Sequence, residues 1–211
     1  MIDPVSPDRS VVFPEDVAPV DFYRLVNSCV LPRPIAWVSS KSADGVLNLA
    51  PYSLFTSVSS EPPMLAFSST RRMKDSSNNA KETGEFIINV GVSSQLDAIN
   101  VSSESFDSSV DEFEVAGLTP EPSTKLSVPR VKEAPISFEC KTYDVQEIGN
   151  SFLVIGEVVA ISVRSDLIGD KGMIDPRRFG SVAKLGGPFW AVDPQIVVAP
   201  RPDDVKGNPN A

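Results

Sequence analysis

Histidine is missing from all 211 residues, and the chain holds only two cysteines, two tryptophans and three tyrosines. Without histidine there is no Ser-His-Asp hydrolase, no HExxH metalloenzyme and almost no ordinary zinc site. Cys29 and Cys140 cannot build a thiolate cage and are too few for a disulfide framework, so they read as reduced, buried thiols. No metal site and no catalytic side chain is therefore assigned. Acid–base chemistry near neutrality would need a perturbed Glu, Lys, Tyr or Cys. Chemistry carried by a bound cofactor, with the protein supplying orientation and electrostatics, fits this composition better.

Other shortages narrow the field further. Nineteen Lys and Arg stand against 28 Asp and Glu, a net charge of −9, which argues against a nucleic-acid partner that needs many phosphates neutralised. No apolar run approaches the roughly 20 residues of a membrane span. The opening Met1-Ile2-Asp3-Pro4 is not a basic segment followed by an apolar one, so a cytoplasmic location is expected. No GxGxxG follows a strand pattern, so no Rossmann dinucleotide site is visible. There is no internal repeat, and the length suits one full core.

Against this acidic background, one cationic island stands out. The apolar run Met64–Phe67 leads into Ser68-Ser69-Thr70, then Arg71, Arg72 and Lys74, then a polar segment that reads as a helix start. Hydroxyls, cations and the free N–H groups of a helix N-terminus are the parts that hold a phosphate group. A solvated basic turn is the plainer reading of the same residues.

The rest reads as mainly β with short helices. Residues 1–20 are proline-rich and aperiodic, an extended or disordered arm, and Phe22–Val26 is a short helical turn stopped before Pro32. Strands are expected at Ile35–Ser40, Val46–Leu49, Leu54–Ser59, Met64–Phe67 and Glu85–Val90, with an Asp44-Gly45 hairpin turn. Helices are expected at Asn78–Thr83 (closed by Gly84), Ser94–Val101, Val110–Ala116 and Asp175–Leu185. Leu118–Arg130 is a surface loop. Two long strands, Ile136–Ile148 and Phe152–Val163, meet at Gly149-Asn150. In the second, Leu153, Ile155, Val159, Ile161 and Val163 would share one apolar face interrupted by Glu157, a tuned carboxylate or a satisfied barrel-end residue. Many short strands with turn signals favour a barrel or sandwich.

The ordered set of motifs is similar to a known family. Pro32-Arg33-Pro34-Ile35-Ala36, Asn48-Leu49-Ala50-Pro51-Tyr52-Ser53, Ser57–Pro63, Lys74-Asp75-Ser76, Glu85–Val90, Asp111-Glu112-Phe113 with Ala116–Pro120, Phe138-Glu139-Cys140, Val154–Val158 and Leu185-Gly186-Gly187 together resemble the flavin reductase-like proteins. These are FMN-binding split barrels that include the flavoredoxins. The resemblance spans roughly residues 20–190. It implies a split β-barrel of the FMN-binding type over 21–190, with an N-terminal arm (1–20) and a C-terminal tail (191–211).

The same resemblance implies a cofactor, FMN, and its contacts. Lys74, Asp75 and Ser76 would receive the phosphate, with Ser68, Ser69 and Thr70 completing the phosphate and ribityl contacts. Ala50, Pro51, Tyr52 and Ser53 would lie along the isoalloxazine edge. Pro51 cannot donate there, while the N–H groups of Tyr52 and Ser53 can. Arg33 and Lys184 are further implied contacts. The resemblance leaves NADH, NADPH or a protein open as electron donor and implies a homodimer with flavin near the interface, for which the proline-rich arms and the 118–130 loop are suited.

Three functions are compatible with these residues: an FMN-dependent oxidoreductase taking hydride from NAD(P)H and passing electrons to flavin, a partner or a small substrate; an electron carrier without nicotinamide activity; and a serine hydrolase. The last rests only on the S-x-x-K match Ser181–Lys184.

Overall fold

The computed structural model describes residues 10–70, 73–169 and 172–199. Residues 1–9 of the expected N-terminal arm, Arg71 and Arg72 of the cationic island and residues 200–211 of the tail lie outside the described residues. The twelve described strands begin with the short β1 (Arg33–Pro34), followed by β2 (Ala36–Lys41), β3 (Leu47–Tyr52), β4 (Phe55–Ser60), β5 (Pro63–Thr70) and β6 (Glu85–Val90). Then come β7 (Pro120–Glu121), β8 (Arg130–Val131), the long β9 (Ile136–Ile148) and β10 (Ser151–Val163), and finally β11 (Val182–Gly186) and β12 (Phe189–Val192). Four helices, α1 (Pro19–Cys29), α2 (Asp75–Thr83), α3 (Leu96–Val101) and α4 (Glu112–Val115), complete the set.

Seven strands form one antiparallel sheet in the order β3-β2-β6-β9-β10-β5-β4. Its two outermost strands, β3 and β4, are consecutive in the chain with only Ser53 and Leu54 between them, so the sheet must curl until its edges meet. Across that closure the Tyr52 ring of β3 lies 4.8 Å from the Phe67 ring of β5. The result is the mainly β split barrel that the sequence led us to expect.

Burial explains the composition of the strands. Val38, Phe67, Phe86, Ile88, Cys140 and Val154 are fully buried in one cluster inside the barrel. Trp37, Leu49, Ile99, Phe113, Val131 and Val182 form a second cluster on the outer side, under α3, α4 and the β11–β12 hairpin. β2 lies between the two clusters, so both of its faces are buried and its apolar run is nearly continuous. Gly156 of β10 leaves no room for a side chain: a Cβ there would stand 2.5 Å from Phe86 Cζ and 2.9 Å from Cys140 Cβ.

Several expectations are corrected. The first helix is eleven residues long, begins at Pro19 inside the expected arm and has no buried residue. Proline is favoured at a helix start because its missing N–H has no partner to lose there. Cys29, at the end of α1, is exposed rather than buried; only Cys140 is a buried thiol. Glu157 is exposed, with Lys141 opposite, because the face it shares with Leu153 and Ile155 is the outer one, while Val154 and Gly156 on the other face are the buried residues of β10. The expected helix over Asp175–Leu185 is a 3-10 turn (Pro176–Arg178) followed by β11, because cross-strand pairing with β1 and β12 overrides the local helical pattern. The 118–130 loop contains β7 and one end of the β7–β8 pair, and is tied down where the buried Glu139 carboxylate accepts the N–H groups of Thr124 and Lys125 at 2.7 and 2.6 Å.

Candidate functional site

The site is built around the N-terminus of α2. A set of buried polar groups holds this helix across one mouth of the barrel. Asn48 Nδ2 donates to Ser76 Oγ (2.8 Å) and Ser40 Oγ (3.3 Å), and Asn79 Nδ2 to Ser40 Oγ (3.1 Å). Ser69 and Ser77 share a hydroxyl bond of 2.9 Å, and Thr142 Oγ1 donates to the Ala80 carbonyl at 2.7 Å. At the other end Gly84 closes the helix in the left-handed conformation, φ 76°, as its sequence position led us to expect. Lys74 is the N-cap residue, yet its side chain makes no capping bond. The first ladder bond runs from the Asn78 N–H to the Lys74 carbonyl, so the amides of residues 75–77 precede it and carry the positive end of the helix dipole.

This terminus opens onto a groove whose walls include Ala50, Pro51, Tyr52, Lys74 and Asp75, together with Asn48, Glu112 and the loop 102–106. Two segments that the sequence singled out separately are thus brought together. The enclosed part measures only about 120 Å³, below the ~300 Å³ at which small-molecule sites begin, so a flavin-sized ligand would lie along the mouth rather than inside.

β3 is an outermost strand, and its backbone alternation decides which amides face the groove. The Leu49 N–H points away from the sheet and donates to Glu112 Oε2 at 2.9 Å. By the period of two, the N–H groups of Ala50 and Tyr52 turn toward β2, and Pro51 has none.

Glu112 was not among the residues singled out from sequence as binding groups. Its carboxyl is buried, and burial pushes its pKa up, opposed by the Leu49 N–H and reinforced by Asp75 and Asp111. The sequence did carry a helix-start signal there, since Asp111 caps α4 by accepting the Phe113 N–H at 2.8 Å. A partner 63 residues away could not be read from it. Tyr52 is pushed up to about 12 by burial, against a hydrogen bond to Ser76 and with Asp75 and Glu112 adding to the rise. It is a neutral phenol at any ordinary pH.

The remaining candidates are distributed elsewhere. The hydroxyls of Ser69 and Ser76 are buried and engaged in holding α2, so those residues can offer a ligand at most their backbone. Ser68 is half-buried on β5. Thr70 lines a different cleft, about 550 Å³, with Pro19, Val20 and Tyr23 of α1 and Asn150. Arg33 and Lys184 face each other directly across the β1–β11 pair, beyond the Ser53 end of β3. Arg33 Nε lies 3.5 Å from Ser53 Oγ, and its Nη1 donates to the carbonyls of Asn27, Val30 (2.9 Å) and Leu185 (3.4 Å). Lys184 Nζ sits 4.1 Å from the centroid of Trp190, and burial together with Arg33 lowers its pKa. Ser181 precedes strand β11 instead of lying on a helix, so a spacing of three turns it and Lys184 to opposite faces. The S-x-x-K match has no dyad geometry.

The architecture defines a split-barrel protein. The sequence model of the flavin reductase like domain matches residues 28–183, and the chain belongs to the flavin reductase-like family. The chain is 38% identical to a protein of Aquifex aeolicus over 172 residues, 80% of this chain and 88% of that one. The crystal structure of nitrilotriacetate monooxygenase component B from Bacillus cereus superposes with a TM-score of 0.87 at 33% identity, covering 92% of this chain and all of the other. The 2-nitrobenzoate 2-nitroreductase of Pseudomonas fluorescens superposes with a TM-score of 0.85 at 30% identity, covering 92% and 96%.

Proposed function

We propose that this protein binds FMN non-covalently and acts as an oxidoreductase, taking hydride from NADH or NADPH and passing electrons to free flavin, a partner or a small substrate. The observation that carries the proposal is the meeting of Ala50–Tyr52 with the uncapped N-terminus of α2 in one groove, within a flavin reductase-like chain. These residues fit the cofactor. The amides of residues 75–77 and the Lys74 ammonium suit its phosphate, and the Ser53 N–H, just past the end of β3, would suit the electron-rich edge of its ring. Bound there, FMN would supply the redox chemistry that no side chain of this histidine-free chain provides. The chain's own part is to hold the phosphate, to present a donor to the ring and, through the Leu49–Glu112 bond, to keep β3 in place.

The groove is shallow, and α1 leaves Tyr23, Leu25 and Val26 exposed, Tyr23 on the wall of the 550 Å³ cleft. Both features support a homodimer that completes the flavin site, and a monomer by size-exclusion chromatography with light scattering would overturn that part. The test of the function is the visible spectrum after FMN loading and desalting, followed by anaerobic NADH and NADPH. Retained flavin that bleaches with either nucleotide supports the reductase. Retained flavin that neither nucleotide bleaches supports the electron carrier, and no retained flavin sinks both.

A further inference from the structure

Among the described residues, five ion pairs are formed, and neither Arg33 nor Lys184 belongs to any of them. That is unexpected in a chain of net charge −9, because the two cations stand directly opposite each other on neighbouring strands. Like charges in this position repel, and Arg33 is only 7% exposed. The guanidinium is held rigidly by carbonyls through Nη1 and approaches Ser53 through Nε, while Nη2 makes no hydrogen bond among the described residues. No buried side-chain nitrogen there lacks a partner, so Nη2 must reach the surface. The half-buried Lys184 places its Nζ 4.1 Å from the centroid of the Trp190 ring.

We propose that Arg33 and Lys184 form an oxyanion site, distinct from the FMN phosphate cradle, that receives the carboxylate or phosphate of the molecule exchanging electrons with the flavin. Its position argues for this. The phosphate cradle adjoins the Asn48 end of β3 through Ser76, whereas the cation pair adjoins the Ser53 end. Five residues of strand separate the two ends, about 17 Å at ~3.3 Å per residue. An apolar cleft of about 570 Å³, lined by Leu25, Leu31, Leu185 and Phe189, begins one residue further along β11. A ligand with an anionic group and an apolar or aromatic body matches this combination of two cations beside apolar walls. The assignment of the ligand's role rests on the flavin reading; the existence of the anion site does not.

The experiment uses the full chain with and without FMN, and the emission of Trp190 as reporter, since Trp190 stacks against Lys184. Benzoate and inorganic pyrophosphate are titrated into wild type, Lys184→Gln and the charge-keeping Arg33→Lys, with FMN affinity measured in parallel. The expected result is a saturable emission change with at least one anion. It should be about tenfold weaker in Lys184→Gln, the effect of losing roughly one charge-assisted bond, and weaker again in high salt. Arg33→Lys, which loses the fixed fork but not the charge, should weaken it less. Preference for benzoate identifies the acceptor's carboxylate as occupant, and preference for pyrophosphate identifies the nucleotide donor. The proposal is overturned if neither anion saturates, if wild type and Lys184→Gln bind alike, or if both anions displace FMN and Lys184→Gln loses FMN in parallel. Absence of FMN binding in wild type would sink the flavin reading alone, because the anion titration is read on the apoprotein.

Discussion

Replacing Lys74 with Ala isolates the phosphate end of the groove. Lys74 is the N-cap of α2, but its side chain makes no capping bond, and α2 is held instead by Ser76, Ser77 and Asn79. Truncation should therefore leave the fold intact, with a stability change within about 0.5 kcal/mol, as for ordinary surface positions. The amides of residues 75–77 remain in the variant, so only the ammonium is removed. A hydrogen bond to a charged group contributes about 1.5–3 kcal/mol. Lys74 is half-buried, so solvent screening favours the lower end, near 1.5 kcal/mol, or about tenfold in FMN affinity. Quenching of flavin fluorescence measures this directly. Riboflavin, which lacks the phosphate, provides the control: its affinity should be the same in Lys74→Ala and wild type. An equal loss for both flavins would place Lys74 at the ring, and no loss for either would remove the α2 terminus from the site.

Three further outcomes follow from the packing and ionisation of named groups. Gly156→Ala would place a methyl 2.5 Å from Phe86 Cζ and 2.9 Å from Cys140 Cβ, and is expected to destabilise the barrel by about 1–3 kcal/mol in urea unfolding; an unchanged midpoint would refute the close packing of β10 on β6 and β9. Cys29 is exposed, while burial, helped by Glu139, pushes the Cys140 thiol up to about 12, so a thiol reagent should titrate one cysteine in the native protein and two after denaturation. Two fast-reacting native thiols would contradict this. Glu112 has a folded pKa above its ordinary 4.5, so its contribution to stability is full below that value and lost as pH rises through the raised one. Glu112→Gln keeps an acceptor for the Leu49 N–H and cannot ionise. Its stability relative to wild type should therefore improve from low pH toward neutrality, and a pH-independent difference would show that the carboxyl is not desolvated.

Local signals were legible where chemistry and conformation act over a few residues. The strands Glu85–Val90 and Ile136–Ile148 fall where their residues placed them, because runs of β-branched and aromatic residues bounded by turn signals mark strands locally. Gly84 ends α2 because few other residues adopt positive φ without strain. The missing histidines and the net charge excluded whole reaction classes before any fold was known, and the ordered motifs were enough to identify the family. What the sequence could not reveal depends on contacts distant along the chain. A helix pattern over Asp175–Leu185 gave way to β11 because two partner strands supply hydrogen bonds that local propensity cannot weigh. Glu157 reached solvent because only the folded sheet decides which face of β10 is inner, and Val154 and Gly156 on the opposite face took the core. Ser69 and Ser76 look like exposed hydroxyl donors in the sequence, yet they fasten α2, since only folding brings Ser77 and Asn48 against them. Glu112 meets the β3 edge, and Arg33 meets Lys184, across separations that only the curled sheet and its returning C-terminal hairpin bridge. The chain's local chemistry thus determined which groups are available, and tertiary structure decided which are already engaged and which remain open to a ligand.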